Sequence, residues 1–344
     1  MTDTVTSSHR RATRRRLGFL GGIAVVLVLA ALAAVAIGSV RLPLGDVLVT
    51  LVGGGSELHR NIVWRNRLPR VLAAVVAGGG LAVAGAAMQT VLRNPLGAPY
   101  TLGISQAAAF GAALAILLTG VGGGLLETSL TPIAAFLAGM VSTGVILGLV
   151  TYRQATPETM ILTGVALGSL FSAGLTLLQY FASDTEVAAI VYWTFGDVGR
   201  AGWSRVALMA AVVLPATAYF VWHGWDFDVL DAGTETAQSL GVNVASLRIR
   251  GMAIASLVTA LVVSFVGIIG FVGLVAPHMV RMVIGGTERY LMPGSALVGA
   301  TLLVVADTAA RTVIAPVVLP VGILTSFLGA PLFIYLVIEG REYW

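Results

Sequence analysis

The sequence predicts an all-α polytopic membrane protein of about ten transmembrane helices, and three features carry that prediction. Hydrophobic residues make up 57% of the 344 and charged residues only 10%, at a mean hydropathy of +0.94, which is more apolar surface than a water-soluble core can hide. The apolar residues gather in runs long enough to cross a hydrocarbon layer about 30 Å thick. The breaks between runs hold arginine, proline and aspartate, residues that interrupt helices or stay near water.

The first run, 17–40, follows a polar segment, 1–16, that ends in Arg10, Arg11 and Arg14–Arg16. Arg15-Arg16-Leu17-Gly18-Phe19-Leu20 also has a twin-arginine look, which would make the run a cleaved export signal, but the apolar part of such a signal is only about 7–15 residues long. A first span anchored by cytoplasmic arginines is the expected reading. Further runs lie at about 68–92, 98–118, 130–151, 158–182, 202–222, 251–271, 273–285, 293–310 and 320–338. Residues 17–344 are therefore expected to form one transmembrane domain behind an Arg-rich cytoplasmic tail, 1–16. The 251–285 stretch must hold two crossings in about 35 residues, so one of them is short or broken, as is common in transporters. An even number of crossings returns both termini to the cytoplasm. On that topology 12 arginines lie inside, while Arg41, Arg60, Arg65, Arg67, Arg70, Arg200, Arg205 and Arg311 lie outside. The positive-inside bias has the right sign but is modest, and the outer arginines need a reason of their own.

Composition also excludes functions. All 20 basic residues are arginines spread along the chain, so no tract suited to nucleic acid exists. Cysteine is absent, which removes disulfides, thiolate catalysis and cysteine metal sites. Lysine is absent too, and a P-loop needs one to hold the β- and γ-phosphates. If transport is driven by ATP, a separate subunit supplies the nucleotide site.

Five constellations stand out. Arg67-Leu68-Pro69-Arg70 opens the second span; a proline is tolerated in a first turn, and arginines three apart share a helix face. Both guanidiniums are expected to point together at the outer surface, either snorkelling to lipid phosphates or receiving carboxylates of an external protein. Arg93-Asn94-Pro95-Leu96-Gly97-Ala98-Pro99 forbids a continuous helix at the cytoplasmic surface: a tight turn, or a broken segment lining a cavity. In the loop at about 223–250, Thr234 could N-cap a short helix that Gly241 ends, either a passive connector or an element for an ATPase to push on. Gly267–His278 has glycines three apart, and Pro277 is expected to break the helix, leaving His278 as a structural group, a proton relay or a metal ligand. Asp307 and Arg311 have the spacing of an i,i+4 ion pair near the outer end of the ninth span, and Asp307 is also the candidate for ion coupling. Small residues at Gly144/Gly148 and Gly164/Gly168/Ser172 suit close helix packing, within the chain or at a pore or dimer face.

Taken in order, these segments resemble the iron-siderophore and cobalamin ABC-importer permease family (FecCD type) from about Leu42 to Ile338. The residues that carry the resemblance are Arg67-Leu-Pro-Arg70 with Gly78, Gly85, Met88-Gln89 and Arg93-Asn-Pro-Leu96; Leu102-Gly-Ile-Ser105; Ser239-Leu-Gly-Val-Asn243; Gly270–His278; Ala306-Asp307 with Arg311; and Leu319-Pro-Val-Gly322 with Gly329-Ala-Pro331. The resemblance implies a type II importer permease in the plasma membrane, working as a homo- or heterodimer with the substrate path between subunits. It also implies two cytoplasmic ATPases that use ATP and Mg, an extracytoplasmic substrate-binding protein, and no cofactor, metal or catalytic residue in this chain. By the same resemblance, Arg67, Arg70 and Arg311 receive acidic residues of the binding protein, and Asn94 and Leu96 form a cytoplasmic gate. Thr234–Val242, with Thr234, Glu235, Ala237, Leu240 and Gly241, is the coupling helix. The fifth span (Gly164, Gly168, Ser172) and the tenth line the path, and the substrate class is a ferric siderophore, with cobalamin and haem as alternatives.

Four positions depart from that pattern: Val318 where a glutamate is usual, Ala98 for an acidic residue, Glu288 for a histidine, and Asp197 for a serine. Two other classes stay in view. An ion-coupled secondary transporter would use Asp307, and a membrane enzyme would need a constellation such as H-E-x-x-H that the sequence lacks.

Overall fold

A computed structural model describes residues 2–38, 42–122, 124–153 and 156–339; Arg41 and Arg341, counted in the topology above, lie outside them. Among the described residues every regular element is helical. Ten apolar helices form the body: α1 (Thr2–Ala36), α2 (Leu68–Leu92), α3 (Ile104–Thr119), α4 (Leu125–Arg153), α5 (Pro157–Phe181), α6 (Trp203–Trp222), α7 (Val244–Val266), α8 (Val272–Ile284), α9 (Glu288–Thr312) and α10 (Val321–Glu339). Seven are long and apolar enough to span a membrane, α2 as part of a continuous helix Glu57–Leu92, while α3, α8 and the apolar part of α10 are shorter. Successive helices alternate in direction, so both ends of the described chain lie at the end of the bundle that carries Asn94, opposite the end that carries Arg67.

Several boundaries differ from the sequence reading. The Arg-rich segment is helical from Thr2 and runs unbroken into α1. Helix α7 begins at Val244, which takes Arg248 and Arg250 out of the expected loop. It stops at Val266 because Gly267 (φ 76°) and Phe271 (φ 66°) adopt left-handed backbone in the connection to α8. That connection is the division expected between the runs 251–271 and 273–285, a few residues earlier; the break expected at Pro277 does not occur. Pro277 itself sits inside α8, buried, and the helix continues through it. Having no N–H, it leaves the Gly273 carbonyl four residues back without its helical donor. Gln89 Nε2 approaches that oxygen at 3.5 Å and the Leu274 oxygen at 3.3 Å.

Helix α2 is the axis of the bundle and is buried over most of its length, whereas α5 is buried only at Met160, Gly164 and Gly168. It packs on α9, α7, α8 and α6, and glycines set the spacing. A Cβ at Gly78 would strike the Gly299 carbonyl of α9, and one at Gly85 would strike the Gly273 carbonyl of α8. In lipid, where apolar burial gives no drive between helices, such approach maximises dispersion contact. The Gly164/Gly168 stripe is likewise internal: a Cβ at Gly164 would lie 2.7 Å from Leu102 Cα, and one at Gly168 3.5 Å from Gly103 Cα. Ser172, one turn on, is exposed, as are Gly144 and Gly148, beside which a Cβ meets nothing within 4 Å.

The approach to α2 departs from α-geometry. Residues Asn61–Arg67 form a π-helical segment whose last bond runs from Leu68 N–H to the Val63 carbonyl. Pro69, next along, has no N–H to give, and the wide turn ends there. Trp64, in this segment, donates from Nε1 to the Thr50 carbonyl (3.0 Å), while Trp203 Nε1 donates to the Trp64 carbonyl (2.8 Å) and the two indoles stack at 6.1 Å. Tryptophans so placed suit a membrane–water boundary.

Gly85→Ala is expected to lower thermal stability in detergent by at least the roughly 1–3 kcal/mol typical of overpacking, because the obstructing atom is backbone. Gly144→Ala is expected to leave the melting temperature unchanged, and equal melting of the two variants would contradict backbone contact between α2 and α8.

Candidate functional site

At the Arg67 end the charged side chains turn inward. Arg67 is buried (6% exposed), and its Nη1 donates to the Val35 and Ala36 carbonyls at 2.7 and 3.0 Å. These are the last carbonyls of α1, which have no intrahelical partner and carry the negative end of the helix dipole. Arg311 does the same through Nη2 to Ala34 O (3.1 Å) and Nη1 to Ile37 O (3.2 Å). Arg200 caps the helix Asp184–Thr194 through the Tyr192 and Trp193 carbonyls. Arg205 donates to the Arg200 carbonyl (2.9 Å) and lies over the Phe265 ring.

The expected ion pair between Asp307 and Arg311 is present at 3.1 Å. Asp307 is also gripped by Arg70, whose Nε lies 3.0 and 3.1 Å from the two carboxylate oxygens and whose Nη2 lies 2.8 Å from Oδ1. Arg70 Nη2 further reaches Asp197 Oδ1 at 3.2 Å, and the Gly199 N–H holds that oxygen in place at 2.8 Å. The side chains of Arg70, Arg311 and Asp307 are 16, 9 and 2% exposed. This corrects the expectation that Arg67 and Arg70 point together at the outer surface: one fork binds helix ends and the other binds two carboxylates. Sequence spacing could not reveal Asp197, more than a hundred residues from Arg70, although its departure from serine marked it. Arg67, Arg200 and Arg311 thus have an account within the chain, since helix ends need cations there.

At the opposite end α2 closes in a Schellman turn, with Asn94 N–H donating to Gln89 O (3.0 Å), Arg93 N–H to Thr90 O (3.1 Å), and Arg93 in left-handed conformation (φ 46°). Asn94 Oδ1 then accepts from Leu96 N–H at 2.8 Å and fixes the turn that presents Leu96, 49% exposed. Pro95 prevents the helix from resuming.

The loop before α7 holds two helices, Gly224–Asp231 and Thr234–Ser239. Gly233 (φ 135°), not Thr234, takes the N-cap position; Thr234 is the first helical residue and accepts from Arg248 Nη2 at 3.0 Å. The end falls where expected, with Gly241 at φ 83° and a Schellman pair from Val242 N–H to Ala237 O and Gly241 N–H to Gln238 O. Ala237 is buried beneath, Glu235 and Gly241 are exposed, and Leu240 stands out at 55% exposure. A cleft of about 260 Å³ lies beside it, lined among others by Tyr219, His223, Leu240 and Arg250.

Glu288, noted in the sequence only as a departure from the family pattern, joins this end. Glu288, at the start of α9, is buried and accepts from Thr90 Oγ1 at 2.6 Å. Its backbone N–H donates to Asp228 Oδ1 at 2.7 Å, so Asp228 caps α9. Burial pushes the Asp228 carboxyl above its ordinary range, against the Glu288 N–H, which favours the charged form. Arg281 of α8 donates to Gln89 Oε1, and Arg16 of α1 reaches the Ile284 carbonyl at 3.2 Å. Pro277 and His278 are buried in α8, and no group of three metal-ligating side chains occurs among the described residues.

The model of the FecCD transport family matches residues 25–339. The chain belongs to that family. Among FecCD relatives, the hemin transport system permease of Yersinia pestis is 36% identical, over 94% of this chain and 96% of its own. The vitamin B12 import system permease of Vibrio vulnificus is also 36% identical, over 96% of each. A solved metal-chelate type ABC transporter in an inward-facing conformation superposes with a TM-score of 0.81 at 29% identity, covering 94% of this chain and 99% of that one. This FecCD chain is therefore an ABC importer permease of type II architecture, an integral protein of the plasma membrane and a transport component.

Asp307→Ala leaves two largely buried guanidiniums short of a counter-ion, and breaking a buried pair costs about 3–5 kcal/mol. A melting temperature for Asp307→Ala well below that of the parent in detergent is the expected result. Asp307→Asn, which keeps an acceptor oxygen, should fall between them.

Proposed function

We propose that this chain is one subunit of a dimeric permease that moves a ferric siderophore inward, driven by two ATPases that use ATP and Mg and fed by an external binding protein. The observation that carries the reading is the short helix Thr234–Ser239, capped at both ends by glycine, presenting exposed Leu240 at the same end as the Asn94–Leu96 turn. An element so placed is what a chain without lysine needs to receive work from a separate ATPase. Arg10, Arg11 and Arg14–Arg16 lead into the Asn94 end of α1, so the positive-inside rule makes that end cytoplasmic, with both termini.

The Arg67 end is then external. There a binding protein's carboxylates approach Arg70 and Arg311, whose edges remain accessible, while Arg67 holds α1 to the docking face. Asp307 fits poorly with ion coupling, because it lies at the end of α9, held by two arginines. Helix α5 leaves Leu162, Val165, Leu170 and Leu177 exposed, and α10 leaves Phe327, Leu328 and Ile334. These faces suit a second subunit and a path between the two. For the substrate, the named relatives and the solved structure concern hemin, vitamin B12 and a metal chelate, all metals enclosed in an organic ligand. A chelated ferric ion belongs to that class.

In cells lacking this chain, its restoration is expected to return uptake of labelled ferric siderophore but not of hemin or cobalamin, and uptake should survive collapse of the proton gradient while ATP lasts. Restored cobalamin or hemin uptake alone would replace the substrate, and loss of uptake with the gradient would replace the ATP-driven reading. Leu240→Asp, which alters an exposed side chain only, is expected to abolish uptake while the protein keeps its melting temperature. Uptake at the parent rate would reduce the short helix to a connector.

A further inference from the structure

The two residues whose carbonyls fasten the Asn94 turn also tie this end of α2 to its neighbours through their side chains. Gln89 accepts the turn's Asn94 N–H on its carbonyl and meets Arg281 of α8 through its side chain. Thr90 accepts the Arg93 N–H on its carbonyl and donates through Oγ1 to Glu288 of α9 at 2.6 Å. Glu288 in turn gives its backbone N–H to Asp228 at 2.7 Å. Asp228 belongs to the helix Gly224–Asp231, which only Ala232 and Gly233 separate from Thr234–Ser239, and Gly233 bonds both helices, donating to Leu230 O and accepting from Ala237 N–H. A connected series of hydrogen bonds therefore runs from the short exposed helix to the base of the Asn94 turn.

Glu288 is the only side chain in that series linking α9 to α2. It is 1% exposed, its Oε1 is taken by Thr90, and its Oε2 is buried with no hydrogen-bond partner. A carboxyl group kept in such a place is costly unless the position it occupies matters. A valine or leucine at this position would carry no such cost, and could not hold Thr90.

We propose that Glu288 is a positioning residue that carries displacement of the 224–239 segment to the Asn94–Leu96 turn. The proposal rests on the reading of those two segments as coupling helix and gate. Movement of the short helix shifts Asp228, and Asp228 draws the first turn of α9. Glu288 then moves Thr90 and with it the carbonyl that seats the turn. Arg248 to Thr234 forms a second link, from the short helix to α7.

The chain has no cysteine, so a single reporter thiol reads the turn cleanly. Tyr100, 59% exposed in the same loop and outside the gate pair, is replaced as Tyr100→Cys. Its maleimide reaction rate is measured in the transporter assembled with its ATPase in proteoliposomes, nucleotide-free and trapped with ATP and vanadate. The parent rate is expected to change several-fold between the two states. Glu288→Ala and Thr90→Val are expected to abolish that change while ATP hydrolysis continues. Glu288→Gln, which keeps an oxygen for Thr90, is expected to retain it, an outcome a merely structural role would not separate from Glu288→Ala. Should Glu288→Ala fail to assemble, Thr90→Val supplies the same readout with nearly unchanged shape. A nucleotide response equal to the parent's in either variant overturns the relay and leaves the coupling reading standing. A parent thiol that ignores nucleotide overturns both.

Discussion

At Gly78 and Gly85 there is no space for even one carbon atom, because the carbonyls of α9 and α8 already occupy it. In water such closeness would be one device among several for burying apolar surface. In lipid the tails are as apolar as the side chains, and close backbone contact becomes a main source of cohesion. The rest of the molecule is arranged around this constraint. Because α2 is drawn so deeply among α6, α7, α8 and α9, each of its ends meets a different arrangement of the chain: the charged cluster at one and the Asn94 turn at the other.

The charged cluster follows from the same economy of helix ends. A helix that stops near a membrane surface presents carbonyls with no donor, and arginine is well suited to answer them, since its planar fork reaches two acceptors at once. Arg67 and Arg311 together cover Ala34, Val35, Ala36 and Ile37, so α1 is fastened at its exit by two cations from two other helices. Asp307 then offsets the charge this accumulates. One group of side chains thus ends a helix and joins α1, α2 and α9. Arg70 extends it to the turn before α6.

Much of this was legible in the sequence, and the illegible part has a common cause. The helices, their approximate number, the Asn94 turn and the glycine end of the short helix follow from local chemistry: apolar runs, Pro95 and Pro99, and the left-handed preference of Gly241. The Asp307–Arg311 pair was readable because both partners lie on one turn. What the sequence could not show were pairings across more than a hundred residues, such as Arg70 with Asp197 and Thr90 with Glu288. Only the oddity of Asp197 and Glu288 within their family hinted at them. Local rules divided 251–285 near residue 272, close to where the conformational freedom of Gly267 ends α7, but they also expected a break at Pro277 that does not occur. Pro277 is accommodated because Gln89 takes up the freed carbonyl.

The wide turn at Asn61–Arg67 has a consequence for chain length. A π segment behaves as a single-residue insertion held within a helix. Removing one residue there would restore the ordinary pitch and rotate everything upstream by about 100° relative to α2. Trp64 would swing away from Trp203 and from the Thr50 carbonyl it now bonds. A change of length within Asn61–Arg67 would therefore act as a change of register, with a cost set by the contacts of Trp64 and not by the residue lost.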